Sequence, residues 1–255
     1  MTGREGNRGA ALVTGAGQRI GRAIARALAG SGYAVAIHCH RSQDEARKLA
    51  SEIAADGGRS AVFVAELADP AALARLVEQS AAALGPLTLL VNNAAIFEFD
   101  KIGSLERALW DRQFAINLAA PVFLAEAFAA QAPAGRSAIV NLLDPRVLRP
   151  TPHFLSYTLA KAALATATRT LAQALAPRIR VNAVAPGPTL PSPRQRAEDF
   201  ARQTAALPLG RGPTPEEVAA AVVFLATAAS VTGAVLPVDG GQHLAGATPE
   251  IGVRE

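Results

Sequence analysis

Ala10-Ala11-Leu12-Val13-Thr14-Gly15-Ala16-Gly17-Gln18-Arg19-Ile20-Gly21 lies near the start of the chain. It reads as an apolar strand over Ala10–Thr14, a glycine-rich turn, and the opening of a helix over about Ile20–Ala29. Glycines at such a turn let the backbone approach a pyrophosphate at the positive end of a helix. The spacing is not the common G-x-G-x-x-G, and a tight strand-to-helix turn uses the same residues, so the loop alone does not decide between the two.

Outward from that stretch the same alternation repeats. Further strands are expected at Ala34–His38, Ala61–Val64, Leu87–Asn92, Ser137–Leu142, Arg180–Val184 and Ala234–Val238. Helices are expected at Gln43–Ala55, near Ala71–Ala83, in a long run ending near Ala130, at Phe154–Ala176 and near Pro215–Ala228. Strands alternating with helices imply right-handed crossovers and a parallel sheet covered on both faces. The expectation is one α/β domain over residues 9–245, a doubly wound parallel sheet of about seven strands, with flexible termini at 1–8 and 246–255. Pro186–Leu209 is a proline-rich excursion without an assigned element.

Bulk composition narrows the function classes. The chain has 255 residues, 50% hydrophobic and 18% charged, which suits a globular domain of this size. The formal charge is +4, and its arginines are dispersed rather than clustered, so no nucleic-acid role is expected. A lone Cys39 excludes an intrachain disulfide and fits a reducing compartment. Met1–Gly9 is polar and glycine-rich rather than a signal peptide, and no membrane span is expected; the protein reads as cytoplasmic.

Two clusters carry chemistry. The chain has only two tyrosines and three lysines, and Tyr157 and Lys161 stand one helical turn apart, able to share a helix face. A phenol that gives up a proton near neutral pH needs a nearby cation. At the end of the second strand, His38-Cys39-His40-Arg41-Ser42 has no acid before Asp44. An acid there would hold a ribose 2′-hydroxyl; Arg41 with Ser42 suits a 2′-phosphate and favours NADPH. Strand alternation puts the two histidines on one face and Cys39 on the other, so no metal is expected.

Together these residues resemble the short-chain dehydrogenase/reductase family through essentially the whole chain after residue 8. The motifs are the Thr14–Gly21 loop, Asn92-Asn93-Ala94, Asn117, Tyr157-x-x-x-Lys161, Pro186-Gly187 and Val238-Asp239-Gly240-Gly241. The resemblance implies a Rossmann fold, usually assembled into dimers or tetramers, with a homotetramer favoured. It implies that Tyr157 exchanges the proton, that Lys161 holds the nicotinamide ribose and lowers the phenol pKa, and that Asn117 keeps a relay water. It further implies cofactor contacts from Gly15, Arg19, Ile20, Gly21, His40, Arg41, Ser42, Asn93, Ala94, Pro186, Gly187 and Thr189. Glu66 and Leu67 would flank the adenine, although the family more often has Asp at Glu66.

The departures from the family are more specific. Thirteen residues before the tyrosine, where the family usually has serine, stands Asp144; where it usually has glycine stands Arg19. In both, and in His40-Arg41-Ser42 and Phe97, the chain resembles the pteridine reductases. That subgroup implies Arg19 near cofactor phosphate and substrate, Phe97 stacked on a pterin, and Asp144 with Tyr157 handling protons at pterin nitrogens. An ionised Asp144 would repel the alkoxide formed in simple ketone reduction. The sequence therefore points to an NADPH-dependent reductase of dihydropterin, biopterin or dihydrofolate-like substrates. Two alternatives stay open: a generic carbonyl reductase, such as a 3-oxoacyl-thioester reductase or sugar dehydrogenase, and a non-catalytic NADPH-binding regulatory protein.

Overall fold

A computed structural model describes residues 8–245 apart from Arg136 and Pro193. The flexible termini expected at 1–7 and 246–255 lie outside the described residues. Arg8, expected to be part of the flexible end, is tied down instead: its carbonyl accepts from Thr88 Oγ1 at 2.7 Å.

Seven strands form one parallel sheet, in the order β3-β2-β1-β4-β5-β6-β7. They are β1 (Ala10–Val13), β2 (Ala34–Cys39), β3 (Ser60–Val64), β4 (Leu87–Asn92), β5 (Ser137–Leu142), β6 (Ile179–Pro186) and β7 (Val235–Val238). The helices are α1 (Arg19–Gly30), α2 (Gln43–Ala55), α3 (Pro70–Leu84), α4 (Arg107–Phe114), α5 (Ala120–Gln131), α6 (Leu155–Leu175), α7 (Ala197–Ala205) and α8 (Pro215–Thr227). Side chains alternate along each strand, so successive apolar residues feed two cores. Val13, Val35 and Ile37 pack under α1, α2 and α8, whereas Leu12, Ala36 and Leu90 pack under α3, α5 and the end of α6. That two-sided burial is why the strands read as continuous apolar runs.

Strand order reverses between β1 and β4. Crossovers leave the sheet in opposite directions there, and a crevice opens beyond the carboxyl ends of the strands. A buried polar ladder crosses the sheet beside it: Asn92 Nδ2 donates to Asn141 Oδ1 at 2.9 Å, and Asn141 Nδ2 to Thr168 Oγ1 at 2.9 Å. It locks β4, β5 and α6 into one register, and α6 carries Tyr157 and Lys161.

Two helical features depart from expectation. The run ending near Ala130 is interrupted by a π turn at Ala115–Ala119, which contains Asn117. The proline-rich excursion contains α7, none of whose residues is buried. The helical run Arg107–Gln131 is long and apolar enough to cross a membrane by length and composition. Leu124, Ala125 and Phe128 commit it to the core instead.

Phe128 is fully buried. Phe128→Ala should cost about 3–5 kcal/mol of stability, read from urea denaturation; a cost under about 1 kcal/mol would place the residue outside a well-packed core.

Candidate active site

The loop after β1 is built by close approach. Gly15 has φ +63°, and a Cβ on Gly21 would sit 2.2 Å from the Gly15 carbonyl oxygen. Asn93 Nδ2 donates to the carbonyls of Thr14 (2.8 Å) and Gly15 (3.1 Å), while Thr14 Oγ1 accepts from the amides of Asn93 and Ala94, both at 3.0 Å. Asn93 therefore staples the end of β4 to the loop as well as lining the cavity. Asn92 points into the buried ladder.

His38 supplies a third support that the sequence reading did not assign. The Gly15 N–H donates to its Nδ1 at 3.1 Å, so Nε2 carries the proton and donates to the Ala65 carbonyl at 3.2 Å. Burial lowers its pKa to about 4, chiefly by desolvation, so the ring stays neutral in this role. A polar residue in an otherwise apolar strand was the available signal. Cys39 faces the core, and His40 lies 3.5 Å from Glu66, so the three side chains do not converge.

His40, Arg41 and Ser42 follow β2, and Glu66 and Leu67 follow β3. Gly17 lies directly against Ser42; a Cβ there would sit 2.7 Å from Ser42 Oγ. Arg41 is exposed beside it, and no acid precedes Asp44 in this segment. None of these residues lines the main cavity.

That cavity, of about 800 Å³, is lined by Arg19, Ile20, Asn93, Phe97, Asp144, Tyr157, Lys161, Pro186, Gly187 and Thr189 among others. Gly187 is held by its N–H to Val238 O (3.0 Å), and a Cβ on it would meet Asp239 Cα at 2.7 Å. Asp239 is itself fixed, accepting from Gly241 N and His243 N. Two non-glycine residues among those described have left-handed backbones, Arg19 and Phe154, each at φ +54°. Such positions cost about 1–3 kcal/mol and persist where a side chain is needed. Both border the cavity. Arg19 reaches across it to the Leu190 carbonyl at 3.2 Å.

Tyr157 OH donates to Asp144 Oδ2 at 3.2 Å. Burial first, and then the adjacent Asp144 charge, push the phenol well above the ordinary tyrosine range, while the Arg146 charge pulls it back. Lys161 is buried and donates to the Leu142 carbonyl at 2.7 Å. Desolvation lowers it to about 8, opposed by Asp144. Phe97 stacks on Phe154 (centroids 4.1 Å, planes 10° apart) and meets Tyr157 edge-on at 4.8 Å. Arg146 was not singled out in the sequence; only its position just after Asp144-Pro145 hinted at it.

Asn117 is buried in the π turn. Its Nδ2 donates to Ile96 O (3.0 Å) and Gln113 Oε1 (2.6 Å), and its Oδ1 accepts from Ile96 N (3.1 Å). Its amide braces the segment leading to Phe97.

A family model described as enoyl-(acyl carrier protein) reductase matches residues 15–243. The chain belongs to the short-chain dehydrogenase/reductase family. Among solved structures it is similar to FolM alternative dihydrofolate reductase 1 from Brucella canis complexed with NADP, at 51% identity and TM-score 0.90, covering 95% of this chain and 96% of that one. A short-chain dehydrogenase from Burkholderia cenocepacia in complex with NADP is 34% identical, with TM-score 0.87 and coverage of 94% and 99%. A curated relative, 2-(S)-hydroxypropyl-CoM dehydrogenase 3 from Xanthobacter autotrophicus, is 36% identical over 90% of this chain and 94% of its own length.

The lowered Lys161 value gives a signed expectation. Between about 8 and 10.5 the unfolded chain holds the lysine proton and the folded chain does not, so this group makes stability rise with pH through that window. The unfolding midpoint of wild type should gain on that of Lys161→Met across the window. Parallel curves would contradict the assignment.

Proposed function

We propose that this chain is an NADPH-dependent reductase of a pteridine-type substrate, a dihydropterin, biopterin or dihydrofolate-like ring. The observation that carries the reading is the contact of Tyr157 with Asp144 rather than with a serine hydroxyl, beside an aromatic platform. The NADP complexes of FolM from Brucella canis and of the Burkholderia relative support the cofactor half. The FolM likeness supports the pteridine half, while relatives such as the hydroxypropyl-CoM dehydrogenase keep the generic carbonyl reductase as runner-up.

The residues present fit the cofactor. A Cβ on Gly17 or Gly21 would lie under 3.0 Å from neighbouring protein atoms, and one on Gly187 likewise at the other end, so both turns keep the tight glycine-dependent geometry that a dinucleotide needs. Gly15, Arg19, Ile20 and Gly21 would hold the pyrophosphate, and Arg41 with Ser42 and His40 the 2′-phosphate. Glu66 and Leu67 would flank the adenine. Lys161, Asn93, Ala94, Pro186, Gly187 and Thr189 would hold the nicotinamide end. Bound there, NADPH supplies a hydride to a ring carbon.

The chain's own residues do the rest. Phe97 offers a flat apolar face for a heteroaromatic ring. Arg19, held in its strained backbone at the cavity wall, offers a cation to phosphate or to a ring carbonyl. The phenol proton, which Tyr157 donates to Asp144 Oδ2 at 3.2 Å, would pass to a ring nitrogen as the C=N bond becomes CH–NH. A carboxylate cannot donate to a developing alkoxide as serine does, which weighs against ketone substrates. Second copies of the chain, as a homotetramer or dimer, are the occupants proposed for the exposed Phe123 and Phe224 on α5 and α8.

NADPH oxidation compared with dihydrobiopterin, dihydrofolate, an acetoacetyl thioester and no added substrate tests the reading. Turnover of a pteridine supports it; thioester turnover without pteridine turnover overturns it. Tyr157→Phe should reduce turnover by about 10²-fold or more while NADPH affinity stays within a few-fold; equal loss of both would make Tyr157 structural. Arg41→Ala should weaken NADPH far more than NADH, and equal weakening would remove the 2′-phosphate role.

A further inference from the structure

The segment after β5 holds a second charge, one that proton transfer from Tyr157 to a ring nitrogen does not itself require. Arg146 Nη1 lies 3.3 Å from both Asp144 oxygens, and the Arg146 N–H donates to Asp144 Oδ1 at 2.9 Å. The pair is largely buried, with side-chain exposures of 17% and 16%. The backbone amide thus occupies Oδ1, which leaves Oδ2 to face Tyr157 OH, while the guanidinium spans both oxygens. The same guanidinium lies 5.4 Å from the ring centroids of both Phe97 and Phe154.

A largely buried carboxylate beside a phenol is an electrostatic problem. It opposes phenolate formation, and unpaired it is costly to bury. A neutral serine in its place would create neither problem. The cation two residues on offsets both, with one guanidinium nitrogen reaching both carboxylate oxygens.

We propose that Arg146 is a positioning residue that acts with Asp144 as one neutral pair: it balances the carboxylate beside Tyr157 and couples that pair to the Phe97–Phe154 stack. The proposal rests on the reading of Asp144 and Tyr157 as the proton-transfer pair, but not on the identity of the substrate. The direction of the Arg146 effect on the phenol, opposite to that of Asp144, agrees with it. Among the described residues, the other charged or titratable groups lining the cavity are Lys161 from α6, Arg19 from the β1–α1 side, and Lys101 and His153 from the outer wall, with the Arg194–Glu98 pair beside Phe97. Of these, Lys161 feels the Asp144 charge, but its ammonium is bonded to the Leu142 carbonyl.

The test is a set of four variants: Arg146→Ala, Arg146→Lys, Asp144→Ser, and Asp144→Ser with Arg146→Ala. Each is assayed for kcat with whichever substrate the wild type reduces and for NADPH affinity. Arg146→Ala should lower kcat about tenfold or more in the native background, but less than about threefold in the Asp144→Ser background, because contacting charges couple. Arg146→Lys should recover part of the loss, and NADPH affinity should stay nearly constant. Equal losses in both backgrounds, or none in the native one, would overturn the proposal.

A second readout needs no substrate. With Tyr33→Phe, Tyr157 is the sole tyrosine, so near-ultraviolet absorbance reports its phenolate directly. Adding Arg146→Ala should move that titration to higher pH, and adding Asp144→Ser to the Arg146→Ala protein should move it back down. An unmoved titration overturns the proposal even if no pteridine is reduced, which separates its failure from failure of the pteridine reading.

Discussion

Asn93 joins β4 to the turn after β1 by donating to two successive carbonyls, and the crevice between those strands depends on that join. The sheet's order reverses there, so no crossover covers the gap. Without a staple, Gly15 and its neighbours would be free to collapse into the opening or swing away from it. Thr14 Oγ1 returns the contact from the other side, and His38 holds Gly15 from β2. Three side chains from three strands thus position one turn. The turn's shape is set by the sheet rather than by its own glycines, which only permit it.

The same logic of borrowed support runs through the proton-transfer side. Tyr157 gains nothing from sequence neighbours except a helix on which to sit. Its hydrogen-bond partner comes from the segment after β5, its edge contact from the segment after β4, and its helix is locked to the sheet through Asn141 and Thr168. Asn117 braces the segment that presents Phe97. Its π turn is a local departure from α geometry of the kind found at functional sites. Charge is distributed with similar economy: the buried Lys161 feels the same carboxylate that the largely buried Arg146 pairs with.

Much of the fold was readable in the sequence because both faces of the sheet are buried. Leu87–Asn92, Ser137–Leu142 and Gln43–Ala55 begin and end where the apolar pattern places them. The pattern weakens where burial does. Helix α7 buries nothing, so its periodicity is faint, and the prolines before it mask its start. The π turn has no residue code, since Ala115–Ala119 would serve equally in an ordinary helix. The site divides the same way. Tyr157, Lys161, Asp144, Arg19 and Phe97 were legible because each is an unusual residue at a marked spacing, and they meet in one cavity. Arg146 was not, because one arginine among many carries no signal until its ion pair is seen. His38 looked like half of a metal motif; only the sheet shows that its two nitrogens are spent on Gly15 and Ala65. Asn117 was legible on its helix, whereas the bond of its amide to the backbone of Ile96 was not, because the partner lies 21 residues away.

The central claim is that a flat nitrogen heterocycle lies on Phe97 with a ring nitrogen facing Tyr157 and Asp144. A crystal structure with NADP and a dihydropterin bound together tests it most directly. The account predicts the pterin on the face of Phe97 opposite Phe154, with a ring nitrogen within hydrogen-bond reach of the Tyr157 hydroxyl. A pterin bound elsewhere in the cavity, or one that presents only its carbonyl edge to Tyr157, would contradict it.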